Sequence, residues 1–178
     1  MFGYDPAMAR TKTIPDAEIF AAIRQMLAAG GDKAVAFASV ARATRLAAPT
    51  LVQRFGSREA MLRGALLAAW DVLDGETAQA EAAAAMTAKG AQGLLKALAA
   101  DSAGVMDLSL LAVNFRDATL RARAEAWRRR VEAALAARLG GRREAAAMLF
   151  AAWQGQMLWQ SAGGKGFRLK DAVKRISG

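Results

Sequence analysis

Between residues 42 and 58 the chain sets two hydrogen-bonding side chains, Thr50 and Gln53, among four arginines, Arg42, Arg45, Arg54 and Arg58. Guanidinium groups neutralise phosphates and fix position along a polyanion without reading its sequence. Glutamine can bond an adenine edge bidentately, and threonine offers a hydroxyl and a methyl. That is the chemistry of recognition. Catalysis has little to work with, because the chain contains no cysteine and no histidine. Cysteine-based zinc sites, disulfides, Cys/His nucleophile pairs and Ser/His/Asp triads are therefore excluded. Asp71, Asp74, Asp101 and Asp107 stand at expected helix ends or exposed faces with no base to pair with, so no enzyme, metal site or cofactor is expected.

The elements that must position these residues are helices. Of 178 residues, 54% are apolar and 7% aromatic, and alanine and leucine outnumber β-branched residues, a balance that favours an all-α fold. Glycine supplies the punctuation at Gly30-Gly31, Gly56, Gly75, Gly90, Gly140-Gly141 and Gly163-Gly164, outlining about nine helices. A first helix follows Pro15, with Asp16 as its cap and Ile19, Ala22, Ile23, Met26 and Leu27 on one face. Two short segments follow, Phe37 to Ala43 and Ala48 to Arg54, then a long helix capped by Ser57 with Glu59 in its first turn. Two short helices in a tight turn are a helix-turn-helix signal.

The residues Ile19-Phe20-Ala21-Ala22, Met26-Leu27, Gly31, Val40-Ala41, Leu46, Ala48-Pro49-Thr50-Leu51 and Gln53-Arg54-Phe55-Gly56-Ser57-Arg58-Glu59-Ala60-Met61-Leu62 resemble the DNA-binding domain of the TetR family, in order and spacing over about 45 residues. Val40, Leu46, Leu51, Phe55 and Leu62 fall where a three-helix core needs them. The chain departs from the family pattern at Ala36 (threonine), Arg45 (glycine), Ala47 (a capping serine) and Val52 (a phosphate-binding tyrosine), which points to an altered operator preference. The resemblance implies that the helix Ala48 to Arg54 enters the major groove. Pro49 suits its first turn, Thr50 and Gln53 face base edges, Val52 meets a thymine methyl, and Arg42, Arg45, Arg54 and Arg58 meet phosphates. The domain division expected is a flexible basic arm over 1–15, a helix-turn-helix domain over 16–62, and a ligand-binding and dimerisation domain over 63–178.

Beyond residue 62 the expectations rest on periodicity. Leu62, Leu66, Ala69, Trp70 and Leu73 make one apolar face of a connecting helix. The stretch 105–115 is apolar nearly all round, as a central buried helix would be, and Asp117 can cap the next one. Leu120, Ala124, Trp127, Val131, Ala134 and Arg138 follow at coiled-coil-like spacing. The helix after Gly141 carries two stripes, one of Leu149, Phe150, Trp153 and Met157, the other of Met148, Ala152, Gly155 and Trp159. Two stripes need two partners, and the resemblance implies a homodimer closed by a four-helix bundle, here through Trp127, Val131, Met148, Ala152, Gly155 and Trp159. Met86, Met106, Leu110, Phe115, Trp127, Phe150 and Trp153, with Asn114 and Gln154 as polar groups, are the candidate lining of a pocket for a small apolar or planar cationic effector. The same residues also suit plain core packing.

The formal charge of +9 suggests a polyanionic partner. It is not confined to the reading module: residues 1–59 hold eight basic and five acidic side chains, a net +3, and the remainder +6. With no run of eighteen apolar residues and no basic-led apolar stretch in 1–13, no membrane span or signal peptide is expected, and the chain reads as cytoplasmic. The composite expectation is a ligand-responsive repressor binding a double-stranded operator. The other function class left open is a basic helical protein that binds nucleic acid or anionic membrane without sequence preference.

Overall fold

The computed structural model describes residues 14–101, 114–160 and 168–177, with Gly163 and Gly166 besides. It is all-α, with no strand among the described residues. The helices are α1 (Asp16–Gly30), α2 (Phe37–Thr44), α3 (Ala48–Phe55), α4 (Arg58–Ala83), α5 (Ala88–Asp101), α6 (Ala118–Arg138), α7 (Arg143–Gln160) and α8 (Leu169–Ser177), and residues 114–116 are helical as well. The arm before residue 14 and most of the stretch 105–115 lie outside the described residues.

Helix α1 begins one residue differently from expectation. Pro15 is the N-cap and offers no side-chain bond, so Asp16 enters the first turn, where its charge still favours the helix N-terminus. Ile19, Ile23 and Leu27 are buried, and they meet Val40, Leu51, Met61, Leu62 and Ala65 in one cluster. A Cβ at Gly64 would stand 3.0 Å from the Phe20 ring, so glycine there lets α1 lie close on α4. Phe20 in turn meets Phe55 at a 5.7 Å centroid separation.

The long α4 belongs to both halves of the molecule. Gly75 does not break it, contrary to the punctuation expected from the sequence, because Leu73 and Thr77 on either side are buried against the sensor helices. An aromatic ladder crosses the sensor core: Trp70 meets Trp127 at 5.8 Å, Trp127 meets Phe150 at 5.8 Å, and Phe150 meets Trp153 at 5.7 Å. Two rungs are also tied by hydrogen bonds. Trp127 Nε1 donates to Thr77 Oγ1 at 2.9 Å, and Trp70 Nε1 donates to Asn114 Oδ1 at 3.1 Å. Buried indole N–H groups need such partners.

Arginines of α6 clasp acids of α4 along the outside. Arg123 pairs with Asp71 and Asp74, and Arg130 pairs with Glu81 at 2.9 Å. Within α6, Arg128 pairs with Glu132 and Arg129 with Glu125, each one turn apart. Deeper in, Arg138 is 7% exposed and donates to Ala134 O, Glu81 O and Ala84 O. The last two are carbonyls at the C-terminal end of α4, where a helix lacks intrahelical donors and a cation is favoured.

At the other end, Asp117 caps α6 as expected, accepting from Thr119 N–H at 2.9 Å and Leu120 N–H at 3.1 Å. It also accepts from Arg63 Nε of α4 at 2.7 Å. That guanidinium bond first, and the Leu120 amide next, hold its carboxyl below its ordinary value, with burial opposing. The stabilisation is therefore complete above the usual carboxylate range and is lost as pH falls through the lower folded-state value. In acid titrations from about pH 5 to below 3, the native chain is expected to lose more stability than the Arg63→Met variant. Parallel curves would contradict this clasp.

The C-terminal segment, for which the sequence offered no reading, forms α8 and packs on α5 and α7 with Val173 buried.

Candidate nucleic-acid interface and sensor cavities

The N-terminal three-helix unit is pinned from within. Leu51 of α3 is fully buried beside Val40 and Ala41 of α2, with Leu46 and Phe55 half-buried around them. The opposite side of α3 faces outward: Pro49, Thr50, Val52 and Gln53 are all exposed, Val52 at 45%. Leu51 thus decides which residues α3 presents.

Three of the four departures from the family pattern bear on local backbone structure, and the fourth, Val52, is exposed on α3. Ala36, at the N-cap of α2, has no side-chain acceptor, but Ser39 Oγ accepts from Ala36 N–H at 2.9 Å and donates to Ala34 O at 2.8 Å. One half of a capping box therefore survives. Arg45 ends α2 in the left-handed region, φ 58° and ψ 28°, a conformation glycine adopts without penalty and other residues at a cost of roughly 1–2 kcal/mol. Leu46 N–H then returns to Ala41 O at 3.1 Å, closing the turn. Ala47 gives α3 no side-chain cap, and Pro49 removes one amide that would otherwise need a partner.

The four arginines divide into two pairs. Arg54 pairs with Asp16 at 2.6 Å and donates to Ile14 O at 2.7 Å, tying α3 to the start of α1. Arg58 donates to Val35 O at 2.6 Å and to Asp32 Oδ1 at 2.6 Å, holding the loop between α1 and α2. Two of the four guanidinium groups that the sequence suggested for phosphates are thus engaged within the N-terminal helices. Arg42 and Arg45 are exposed and carry no ion pair among the described residues. Arg42 stands in the last turn of α2 and Arg45 in the turn that leads into α3.

Beyond residue 62 the expected pocket residues separate. Phe115, Trp127 and Gln154, with Trp70, Ala124 and Arg121, border a cavity of about 280 Å³ between α4, α6 and α7. Trp153 borders another, of about 180 Å³. Phe150 is 1% exposed inside the aromatic ladder, and Asn114 is buried against Trp70; both serve the core. Met86 is 65% exposed in the turn between α4 and α5, too far out to line a cavity. Met106 and Leu110 lie outside the described residues.

The expected dimer stripe is also corrected. Trp127 and Val131 are 3% and 0% exposed within a single chain, because they pack inward on α4 and α7. On α7, in contrast, Met148 and Trp159 are 63% and 65% exposed, with Ala152 and Gly155 half-buried between them. That face has no cover among the described residues. Sequence periodicity did not single out Ser39, Gly64 or the clasps of Arg138 and Arg63. Only Ser39, three residues after a missing cap, left a signal.

No protein-family model matches the sequence, and no curated protein resembles it closely enough to align. Solved structures that share its fold include two regulators. A TetR-like transcriptional regulator from Rhodococcus sp. RHA1 superposes with a TM-score of 0.66 at 14% identity, over 93% of this chain and 94% of that one. The TetR family transcriptional regulator PfmR from Thermus thermophilus gives 0.62 at 16% identity, over 89% and 94%. The chain has the all-α fold of these two structures over about nine-tenths of its length.

Proposed function

We propose that this chain is a transcriptional regulator of the TetR kind, a repressor that holds an inverted-repeat operator as a homodimer and leaves it when a small effector binds its sensor half. The observation that carries the reading is the outward face of α3. Thr50 and Gln53 are exposed there on a helix locked by Leu51, Arg54 and Arg58. A rigid, protruding helix with amide and hydroxyl donors suits the major groove, with Arg42 and Arg45 on the phosphates beside it. The shared fold with two regulators supports the same reading.

Two heads must act together, since successive major grooves on one DNA face recur about every 34–36 Å. The uncovered face of α7 supplies the join, with small Ala152 and Gly155 permitting close approach and Met148 and Trp159 flanking them. Residues 16–62 form the reader and 63–178 the sensor and dimer-forming part, with α4 spanning the boundary. Effector binding in the sensor shifts the population between two dimer geometries.

Selection of duplexes from a random library tests the reading. An inverted repeat is expected; recovery of no consensus would overturn it and favour a sequence-blind basic protein. For the dimer, sedimentation of Met148→Asp combined with Trp159→Asp is expected to show a monomer, with operator affinity down by about 100-fold or more. A native chain already monomeric at micromolar concentration would contradict the assembly. Arg45→Gly separates two effects of one residue. Stability is expected to hold or rise by up to about 1 kcal/mol as the left-handed strain is relieved. DNA affinity is expected to fall, with a salt slope shallower by about 0.9 per lost phosphate contact.

A further inference from the structure

Beyond residue 62, Arg63, Arg123 and Arg130 hold carboxylates of other elements, and Arg121 and Arg138 hold carbonyls. A second group of arginines is placed differently. Gly140 and Gly141 turn the chain through the left-handed region, at φ 70° and 85°, and bring Arg142 and Arg143 to the start of α7. Arg175, in the last turn of α8, joins them around one open cavity of about 620 Å³. Arg142 Nε donates to Leu139 O at 3.3 Å. Arg143 and Arg175 are exposed and carry no ion pair among the described residues, although Glu144 borders the same space. Three permanent cations thus face one carboxylate, a local net charge of +2. Like charges gathered around a concave space concentrate counter-anions within it.

We propose that this cavity binds a compact polyanion carrying adjacent phosphate groups, its oxygens accepting from Arg142, Arg143 and Arg175. Guanidinium groups meet phosphate bidentately, and adjacent phosphates bring two or more negative charges into a small volume, which matches the local excess. Ala145 and Met148 give the cavity an apolar side. The site stands far from the outward face of α3. Arg138, in the last turn of α6 just before this turn, bonds Glu81 O and Ala84 O at the C-terminal end of α4, and α4 runs 26 residues, roughly 39 Å, from its start beside α3. A duplex held by α3 therefore lies at the other end of α4. The cavity bordered by Trp127 is separate too, and binding here stands independently of the DNA-reading proposal.

Calorimetric titration of the full chain with tripolyphosphate, orthophosphate and tricarballylate provides the test, at about 0.15 M salt so that diffuse surface attraction is screened. Tripolyphosphate is expected to bind saturably at one site per chain, at least about tenfold more tightly than either of the others. Arg143→Gln combined with Arg175→Gln is expected to weaken it by about tenfold or more. Lys89→Gln combined with Lys96→Gln removes as much charge from exposed positions of α5 that do not border the cavity, and is expected to leave tripolyphosphate binding unchanged. All four side chains are exposed, and the melting temperature without ligand checks that each variant is folded. Absence of saturable tripolyphosphate binding to the native chain, or equal weakening by the two pairs, would overturn the assignment. Tricarballylate binding as tightly as tripolyphosphate would overturn the choice of phosphate.

Discussion

Replacing Gln53 and Thr50 together by alanine is expected to lower affinity for the selected operator by about 2–4 kcal/mol, roughly 30- to 1,000-fold, while the melting temperature stays nearly unchanged. The large effect on binding follows from what each side chain offers a base edge. A bidentate amide contact discriminates by about 1–3 kcal/mol, and the threonine hydroxyl or methyl adds less. The small effect on stability follows from exposure: neither side chain contributes to the cluster around Leu51. Arg42 and Arg45 remain, so binding to unrelated duplex at low salt should persist. Mobility shifts on the operator and on a scrambled duplex read both effects in one series. An equal fall on both duplexes would mean that the pair contributes no sequence reading.

Arg138→Met is expected to destabilise the chain by about 3 kcal/mol, the largest effect on folding of any single change considered. Methionine keeps much of the side-chain volume, so the loss isolates the hydrogen bonds. Two carbonyls at the end of α4, Glu81 O and Ala84 O, lose their donor, while Ala134 O keeps its helical N–H. Each buried acceptor left unsatisfied costs about 1–3 kcal/mol, offset in part by removing a desolvated cation. Denaturant titration reads the change. A loss below about 0.5 kcal/mol would show that water replaces the guanidinium there without penalty.

The contrast between these residues marks what was legible in the sequence. Period-3.6 apolar spacing identified the faces of α1, α4, α6 and α7 correctly, because burial of Ile19, Ile23, Leu27, Leu66, Trp70 and Leu149 is a local property of each helix. The two-helix turn was legible from its length and from Pro49. Partners were not. Arg54 and Arg58 carry the charge of a phosphate contact, yet Asp16 and Asp32, far away in sequence, engage them. Trp127 and Val131 carry the periodicity of an interface helix, but periodicity cannot say whether the partner lies in the same chain. The Gly75 break failed for a related reason: tertiary burial of Leu73 and Thr77 overrides the intrinsic cost of glycine in a helix, about 1 kcal/mol. Ser39 shows the reverse case, a short-range signal three residues beyond a missing cap that the sequence does contain.

The outward face of α3 as a reader of base edges is the central claim, and an exchange of its specificity tests it most directly. Duplex selection is run in parallel with the native chain and with Gln53→Arg. Arginine bonds guanine bidentately where glutamine bonds adenine, so the variant is predicted to recover the same inverted repeat with adenine changed to guanine at one symmetric position in each half-site. An unchanged consensus, or no consensus from either protein, would contradict the account.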